Sequence, residues 1–199
     1  MSLIKRRDVV KALLENRGDL LVIAGLGSTA WDITAAGDSP LSFPLWGAMG
    51  QAAMMGLGLA LAQPKRRVLV ITGDGEMLMG LGSLATIGAQ RPANLSIVVI
   101  DNERYGETGM QATHTAYGVD LAAVARACKF REAKEIRTAD EVERLRELVH
   151  TFSGPLFADV KVIEEKLPLV LPPNDGVALK ERFRKALLGP SADVLAEKP

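Results

Sequence analysis

The chain has 199 residues, 48% of them apolar, which suits a single domain with a sizeable hydrophobic core. Its 24 basic and 24 acidic residues cancel, so charge gives no case for binding nucleic acid or an anionic membrane. The short basic run from Lys5 to Arg7 is assigned to a solvated helix face. Cys128 is the only cysteine, which excludes a disulfide within the chain and a four-cysteine cluster, and its apolar surroundings predict a buried structural thiol. Because the N-terminus lacks the apolar core of a signal peptide and no apolar run reaches about 18 residues, we expect a cytoplasmic protein.

Helix-like and strand-like segments alternate along the chain. Helical patterns cover residues 5–16, 47–63 and 81–90, and another begins at Thr138, which forms a capping box with Glu141. Four short, β-branched apolar runs between them are typical of strands that are covered on both faces. These runs are DLLVIAG from residue 19, RVLVITG from residue 67, NLSIVVID from residue 94 and PLFADVKV from residue 155. The alternation predicts an α/β fold, a doubly wound parallel sheet with helices on both faces.

The composition changes near residue 164. The stretch that follows is rich in proline and predicts an extended arm, and a last amphipathic helix is expected over residues 177–188. We therefore divide the chain into a domain over residues 1–165 and an arm with a C-terminal helix over residues 166–199. The arm is equally compatible with packing on a partner and with wrapping its own domain.

Two glycine-containing segments follow predicted strands. In the first, Gly25, Gly27 and Ala30 match the G-x-G-x-x-A fingerprint of dinucleotide-binding proteins. The acidic residue that the fingerprint expects about 20 residues on is poorly supplied, because Asp38 lies in a turn. This match is therefore a weak indication of a nicotinamide or flavin site.

The second segment places Asp74 between two glycines at the end of an apolar strand, and Asn102 follows the next strand. Ligands of α/β sheets bind at the carboxyl ends of the strands. Mg²⁺ prefers carboxylate, amide and carbonyl oxygens, so Asp74, Asn102 and the Arg104 carbonyl are candidate ligands. The alternative is that Asp74 caps the following helix and Asn102 forms a turn.

These residues resemble a known motif. Gly73, Asp74 and Gly75, with Asn102 placed 27 residues after Gly75, resemble the cofactor motif of the thiamin-diphosphate-dependent enzymes. The likeness covers roughly residues 5–165, the length of one diphosphate-binding domain. Within the family it is strongest to the sulfopyruvate and phosphonopyruvate decarboxylase branch, as the stretches PLWGAMGQAA and THTAYGVDLAAVARACKF indicate.

The resemblance implies thiamin diphosphate and Mg²⁺ as cofactors. Asp74, Asn102 and Arg104 would hold the metal. Met49 would be the apolar wedge that bends the cofactor, although a simple core methionine is the alternative. His114 would be a proton donor or a ligand of the substrate carboxylate, although a surface histidine is the alternative. The implied cofactor-binding residues are Gly27, Ser28, Thr29, Gly47, Met49, Gly73, Gly75, Glu76, Gly106, Glu107 and Thr108.

Glu76 departs from the decarboxylase pattern. Serine or alanine is common after the Gly-Asp-Gly motif, whereas glutamate occurs there in transketolase-like members. An acid so close to a diphosphate is expected to turn away or to assist the metal indirectly. The exact subfamily therefore stays open at this stage.

In this family a glutamate that activates the cofactor belongs to a separate pyrimidine domain, and we find no second strand–helix set that carries it. We therefore expect a diphosphate- and magnesium-binding subunit of a split 2-oxo acid decarboxylase. It should be active only in a hetero-oligomer with a pyrimidine-domain partner, on a small 2-oxo acid. The alternatives are a subunit of an acetolactate-synthase-like or transketolase-like carboligase, and a non-catalytic cofactor-binding subunit.

Overall fold

The computed structural model describes residues 4–190 and residue 192. Its centre is a six-stranded sheet in which every neighbouring pair of strands is parallel. The spatial order is β2-β1-β3-β4-β8-β7. These strands are β1 (Leu21–Ala24), β2 (Ser42–Pro44), β3 (Val68–Gly73), β4 (Leu95–Asp101), β7 (Glu132–Ile136) and β8 (Leu156–Lys161). Outside the sheet, the two-residue strands β5 (Arg104–Tyr105) and β6 (Gln111–Ala112) form a small antiparallel hairpin.

Helices cover both faces of the sheet. They are α1 (Arg6–Leu14), α2 (Ser28–Ala35), α3 (Ala52–Ala62), α4 (Asp74–Met79), α5 (Ser83–Gln90), α6 (Leu121–Ala127), α7 (Ala139–Thr151) and α8 (Gly176–Leu188). One hydrophobic cluster joins α3, α5 and α6 to one face, and a second joins α1, α2 and α7 to the other. The predicted doubly wound α/β fold is confirmed.

The central strands alternate between these two clusters. Val68 and Val70 of β3 belong to one cluster, whereas Leu69 and Ile71 belong to the other. Because both faces are covered, most positions of such a strand are apolar, which is why the sequence shows nearly continuous apolar runs rather than alternation.

The order of the strands reverses between β1 and β3. The chain leaves β1 toward β2 at one edge and then returns to β3 on the other side of β1. In open α/β sheets, ligands bind at this switch point, outside the carboxyl ends of the strands. The segments that leave β1 and β3 at this place begin at Gly25 and Asp74.

Of the six strands in the main sheet, two were not predicted, and both lie at its edges; the short β5–β6 hairpin was not predicted either. β2 has only three residues and ends at Pro44, whereas β7 has the charged sequence EAKEI. Edge strands are commonly short, charged or proline-containing, so a search for apolar runs misses them.

Two helix predictions need correction. α3 begins at Ala52 rather than at residue 47, because the preceding segment is a turn in which Ala48 has φ 56° and Gly50 has φ 87°. The basic run at the start of α1 is solvated only in part: Lys5 is exposed, whereas Arg6 is buried, and Arg6 and Arg7 bind the buried Asp32 carboxylate at 2.7 and 2.9 Å. The capping box of α7 is confirmed, and Cys128 is half-buried against the core.

The described part of the arm lies on its own domain. Arg182 of α8 pairs with Asp38 at 2.6 Å, and Phe183 contacts the ring of Phe43 at a centroid distance of 5.6 Å. Trp46 Nε1 donates to the carbonyl of Pro173 at 2.8 Å. The predicted boundary at residue 165 stays a prediction, and residues 191 and 193–199 lie outside the described residues.

No helix in the described ranges is both long and apolar enough to cross a membrane.

Candidate active site

A single cavity at the carboxyl ends of β1, β3 and β4 brings most of the predicted site residues together. Eleven of the fifteen line it: Ser28, Met49, Gly73, Asp74, Gly75, Glu76, Asn102, Arg104, Gly106, Glu107 and Thr108. These residues come from four separate segments of the sequence, so their meeting is a property of the fold and not of local spacing.

The other four predicted residues do not line the cavity. Thr29 is buried, and its hydroxyl donates to the carbonyl of Gly25 at 3.0 Å, inside its own helix start. Gly27 is the N-terminal cap of α2, and Gly47 lies in an exposed turn. His114 is exposed, with its Nδ1 3.4 Å from the hydroxyl of Tyr105, which does line the cavity. The roles of these four residues stay predictions.

Asp74 stands where β3 passes directly into α4. It is 2% exposed, and its Oδ2 accepts a hydrogen bond from Thr113 Oγ1 at 2.6 Å. Gly75 is required beside it, because a Cβ there would lie 2.6 Å from the ring of Tyr105. Burial, with a further contribution from the charge of Asp101, raises the pKa of Asp74 to about 7.

Asn102 follows β4 and begins a tight turn. Its Oδ1 accepts a hydrogen bond from the backbone N–H of Arg104 at 3.1 Å, and Glu103 between them has φ 61°. A residue other than glycine is strained in the left-handed conformation, and such backbone strain concentrates at functional sites. The Arg104 guanidinium pairs with Glu164 at 3.2 Å, so the side chain has its own partner while the residue still lines the cavity.

The candidate oxygen ligands at this edge of the sheet suit Mg²⁺, and they do not form a site made of acidic side chains alone. No group of three His, Cys, Asp or Glu side chains in the described part of the chain could hold a metal ion. One carboxylate from Asp74, one amide from Asn102 and one backbone carbonyl make a sparse set. Mg²⁺ typically binds one or two carboxylates and completes its shell with phosphate oxygens and water.

Glu76 lies beneath the cavity. It is 4% exposed, and its carboxylate accepts hydrogen bonds from Thr72 Oγ1 at 2.9 Å and from the N–H of Gly50 at 3.3 Å. Burial raises its pKa, although these hydrogen bonds oppose the shift. The side chain is thus directed at protein donors and ties β3 to the turn that carries Met49.

Contacts and backbone conformation within this chain explain the two glycines, Gly25 and Gly27, of the match to the dinucleotide fingerprint. A Cβ on Gly25 would lie 1.7 Å from Glu76 Oε2, and one on Gly27 would lie 2.4 Å from Glu107 Oε1. Gly27 also has φ 84°, which favours glycine. Close approach by the buried Glu76 carboxylate and the positive φ of Gly27 therefore account for the two glycines without a dinucleotide.

Several residues around the cavity were not in the predicted set. Arg6, Leu26, Ile100 and Tyr105 line it as well. Arg6 is held beside the cavity by its ion pair with Asp32, 26 positions away in sequence. No local sequence pattern predicts such a contact. Tyr105 is the one member of this group with a local signal, since it follows the turn at Asn102.

Comparison with known proteins agrees with this geometry. The family model described as thiamine pyrophosphate enzyme, C-terminal TPP binding domain, matches residues 31–160. Sulfopyruvate decarboxylase subunit beta of Methanothermobacter thermautotrophicus is 39% identical over 191 residues, which cover 96% of this chain and 100% of the relative. Phosphonopyruvate decarboxylase of Streptomyces viridochromogenes is 36% identical over 183 residues, covering 92% of this chain but 46% of the relative.

Solved structures show the same fold. Benzoylformate decarboxylase from Polynucleobacter necessarius superposes with a TM-score of 0.70 at 20% identity, covering 83% of this chain and 34% of that one. With a family model that matches well over half of the residues and a relative covered from end to end, the chain belongs to the thiamin-diphosphate-dependent enzymes, among the sulfopyruvate and phosphonopyruvate decarboxylases, a family of lyases.

Proposed function

We propose that this chain is the diphosphate- and magnesium-binding subunit of a split thiamin-diphosphate-dependent 2-oxo acid decarboxylase. The observation that carries the proposal is the meeting of Asp74 and Asn102, from neighbouring strand ends, in one cavity. The named relatives support a substrate of the sulfopyruvate or phosphonopyruvate type. The cytoplasmic location predicted from the sequence is part of the same proposal.

In this proposal Asp74, Asn102 and the Arg104 carbonyl hold Mg²⁺, and the metal holds the diphosphate. When bound, the cofactor provides a nucleophilic carbon and an electron sink for the decarboxylation of a 2-oxo acid. Gly75 and Ser28 both line the cavity, and Ser28 offers a hydroxyl on its β1 side.

Met49 has the setting that a wedge requires. It lies on the cavity between Ala48 and Gly50, both with positive φ, and the turn is anchored by the bond from the Gly50 N–H to Glu76. A methionine placed there offers an apolar surface to a bent cofactor and no polar group that competes for its amino nitrogen. The strained, anchored turn supports a positioning role over simple core packing.

A second chain is needed to complete this site. The turn before Met49 carries the exposed Trp46, and Met79, which lies beside Gly50 of the same turn, is 67% exposed. Large exposed apolar side chains beside a cavity indicate a surface that a partner covers. This chain spans all of a subunit named beta but 46% of phosphonopyruvate decarboxylase, which supports a pyrimidine-domain partner of similar size.

The proposal is tested by purifying the chain alone and together with a pyrimidine-domain chain. CO₂ release is measured with Mg²⁺, thiamin diphosphate and a panel containing sulfopyruvate, phosphonopyruvate and pyruvate. We expect turnover only from the assembled pair. Turnover of similar rate by the isolated chain contradicts the half-site, and formation of a carboligation product in place of an aldehyde favours the synthase-like alternative.

A further inference from the structure

Two threonines join the acidic ends of β3 and β4. Thr113 and Thr115 lie between the β5–β6 hairpin and α6, and they are 0% and 4% exposed. Thr113 Oγ1 donates to Asp74 Oδ2 at 2.6 Å, and Thr115 Oγ1 donates to Asp101 Oδ1 at 2.9 Å. The two hydroxyl oxygens are 2.8 Å apart. Each hydroxyl carries one hydrogen and donates it to its own carboxylate, so the two threonines are adjacent donors to the two strand ends.

The orientation of Thr113 is determined by its surroundings. Its backbone N–H donates to the carbonyl of Glu103 at 3.0 Å, which fixes the residue against the turn at Asn102. Its Cγ2 lies 3.7 Å from the position of a Cβ on Gly75. A β-branched side chain has few rotamers, so a methyl group directed at Gly75 commits the hydroxyl to Asp74.

Asp74 has fewer side-chain partners than Asp101, although the backbone N–H groups of Asp74 and Gly75 also stabilise its carboxylate. Asp101 also binds Lys161 Nζ at 2.5 Å and the N–H of Glu103 at 2.8 Å. Among the described side chains, Thr113 is the donor to Asp74, at 2.6 Å from Oδ2, and Thr115 Oγ1, which donates to Asp101, lies 3.5 Å from the same oxygen. Oδ1 has no side-chain donor among the described residues. The threonines thus distinguish the two oxygens of a buried carboxylate.

We propose that Thr113, supported by Thr115, is a positioning residue that holds the Asp74 carboxylate turned to bind Mg²⁺ through Oδ1. The inference rests on the proposed function, because it assigns Asp74 to the metal. Hydrogen bonds to a metal-binding carboxylate fix its direction, and their loss typically lowers metal affinity about 10- to 100-fold. A purely structural role for Thr113 would change stability and leave metal affinity unaltered.

The test measures the apparent Mg²⁺ affinity of the assembled complex by calorimetry at saturating thiamin diphosphate. T113V removes the hydroxyl at nearly constant volume, and T113S keeps it. We expect T113V to weaken Mg²⁺ binding about 10-fold or more and T113S to stay within about threefold of the wild type. Urea unfolding of each variant is recorded in parallel, so that a loss of Mg²⁺ affinity is separated from a loss of stability.

The outcomes separate this inference from the proposed function. If wild-type protein and Asp74→Ala bind Mg²⁺ and the cofactor equally, the proposed function fails. If Asp74→Ala abolishes binding but T113V binds like the wild type, the inference about Thr113 is overturned and the function stands. Should T113V not fold, T115V is measured instead: a loss of Mg²⁺ affinity supports the role of the two hydroxyls, and wild-type affinity overturns it.

Discussion

Asp74 and Asp159 are both deeply buried acids, but they differ in their hydrogen-bond partners and in their access to the cavity. Asp74, at the end of β3, lines the cavity and receives a hydrogen bond from Thr113 at 2.6 Å. Asp159, within β8, has no hydrogen-bond partner for either carboxylate oxygen among the described residues, and Lys161 Nζ lies 3.8 Å away. Burial, followed by the charge of Asp101, raises the pKa of both acids, to about 7 and about 8.

The comparison teaches that a raised pKa does not identify a functional acid. What distinguishes Asp74 is its place on a cavity at the switch point, beside a strand end that carries an amide oxygen. Asp159 stands in the interior of the sheet, where Lys161 pairs with Asp101 and lies 3.8 Å from Asp159. The first acid should therefore matter for the cofactor, and the second for folding.

The largest effect, a loss of activity without a loss of stability, is expected from Asp74→Asn. Asparagine keeps the shape of the side chain and removes the charge that Mg²⁺ requires, so CO₂ release by the assembled complex should fall about 100-fold or more. The free energy of unfolding should stay equal or rise, because a buried carboxylate with a raised pKa is replaced by a neutral amide. Enzyme assays and urea unfolding of the same preparations check both parts, and near-normal activity would refute the assignment.

The next largest effect is expected from Lys161→Met. The substitution leaves Asp101 buried without its cation, and breaking a buried ion pair from one side costs about 3 kcal/mol of unfolding free energy. Lys134→Met is the matched control, because Lys134 pairs with Glu132 on the exposed edge strand and should cost under about 1 kcal/mol. If both variants unfold at the same urea concentration, the buried cluster does not stabilise the fold as described.

A smaller and pH-dependent effect is expected from Asp159→Asn. The raised pKa means that the folded chain keeps a proton which the unfolded chain releases, so the free energy of unfolding falls as the pH rises from about 4 to about 8. The variant lacks this dependence and should gain at least about 1 kcal/mol relative to the wild type between about pH 5 and pH 8.5.

Urea unfolding at several pH values measures the difference for Asp159→Asn. Glu147→Gln, at an exposed position of α7, is the control and should parallel the wild type throughout. If Asp159→Asn binds the cofactor with wild-type affinity, the result supports different roles for Asp159 and Asp74. Loss of cofactor binding by this variant would contradict that difference.

The smallest effect is expected from His114→Gln. His114 is exposed, lies outside the cavity lining and has only a 3.4 Å contact with the Tyr105 hydroxyl. If it binds the substrate carboxylate, KM for the 2-oxo acid should rise about 10-fold while the unfolding free energy stays within about 0.5 kcal/mol. Unchanged kinetics would leave His114 a surface residue.

The sequence predicted the parts of this molecule that are encoded locally. Strand β3, the Gly-Asp-Gly segment and the spacing to Asn102 lie within one crossover, and parallel strands placed them side by side as expected. The capping box of α7 was equally local and is present. The proximity of strand-end residues that are joined by a short crossover can therefore be predicted from a single sequence.

The rest depends on contacts between distant segments. Nothing near Arg6 indicates that it meets Asp32, and nothing near Thr113 indicates that it meets Asp74, 39 positions earlier. The turn at 47–51 was predicted as helix because its small apolar residues suit one. The bond from the Gly50 N–H to Glu76, together with the positive φ of Ala48, holds it as a turn. Tertiary hydrogen bonds decided these positions, and local propensity did not.

The most direct test of the central claim is calorimetric titration of thiamin diphosphate into the assembled complex, with Mg²⁺ and again with the metal chelated. The wild type should bind the cofactor only with the metal present, and the double variant Asp74→Ala/Asn102→Ala should bind it in neither condition. Equal binding by the double variant, or by the wild type after chelation, would contradict a magnesium ion held between the ends of β3 and β4.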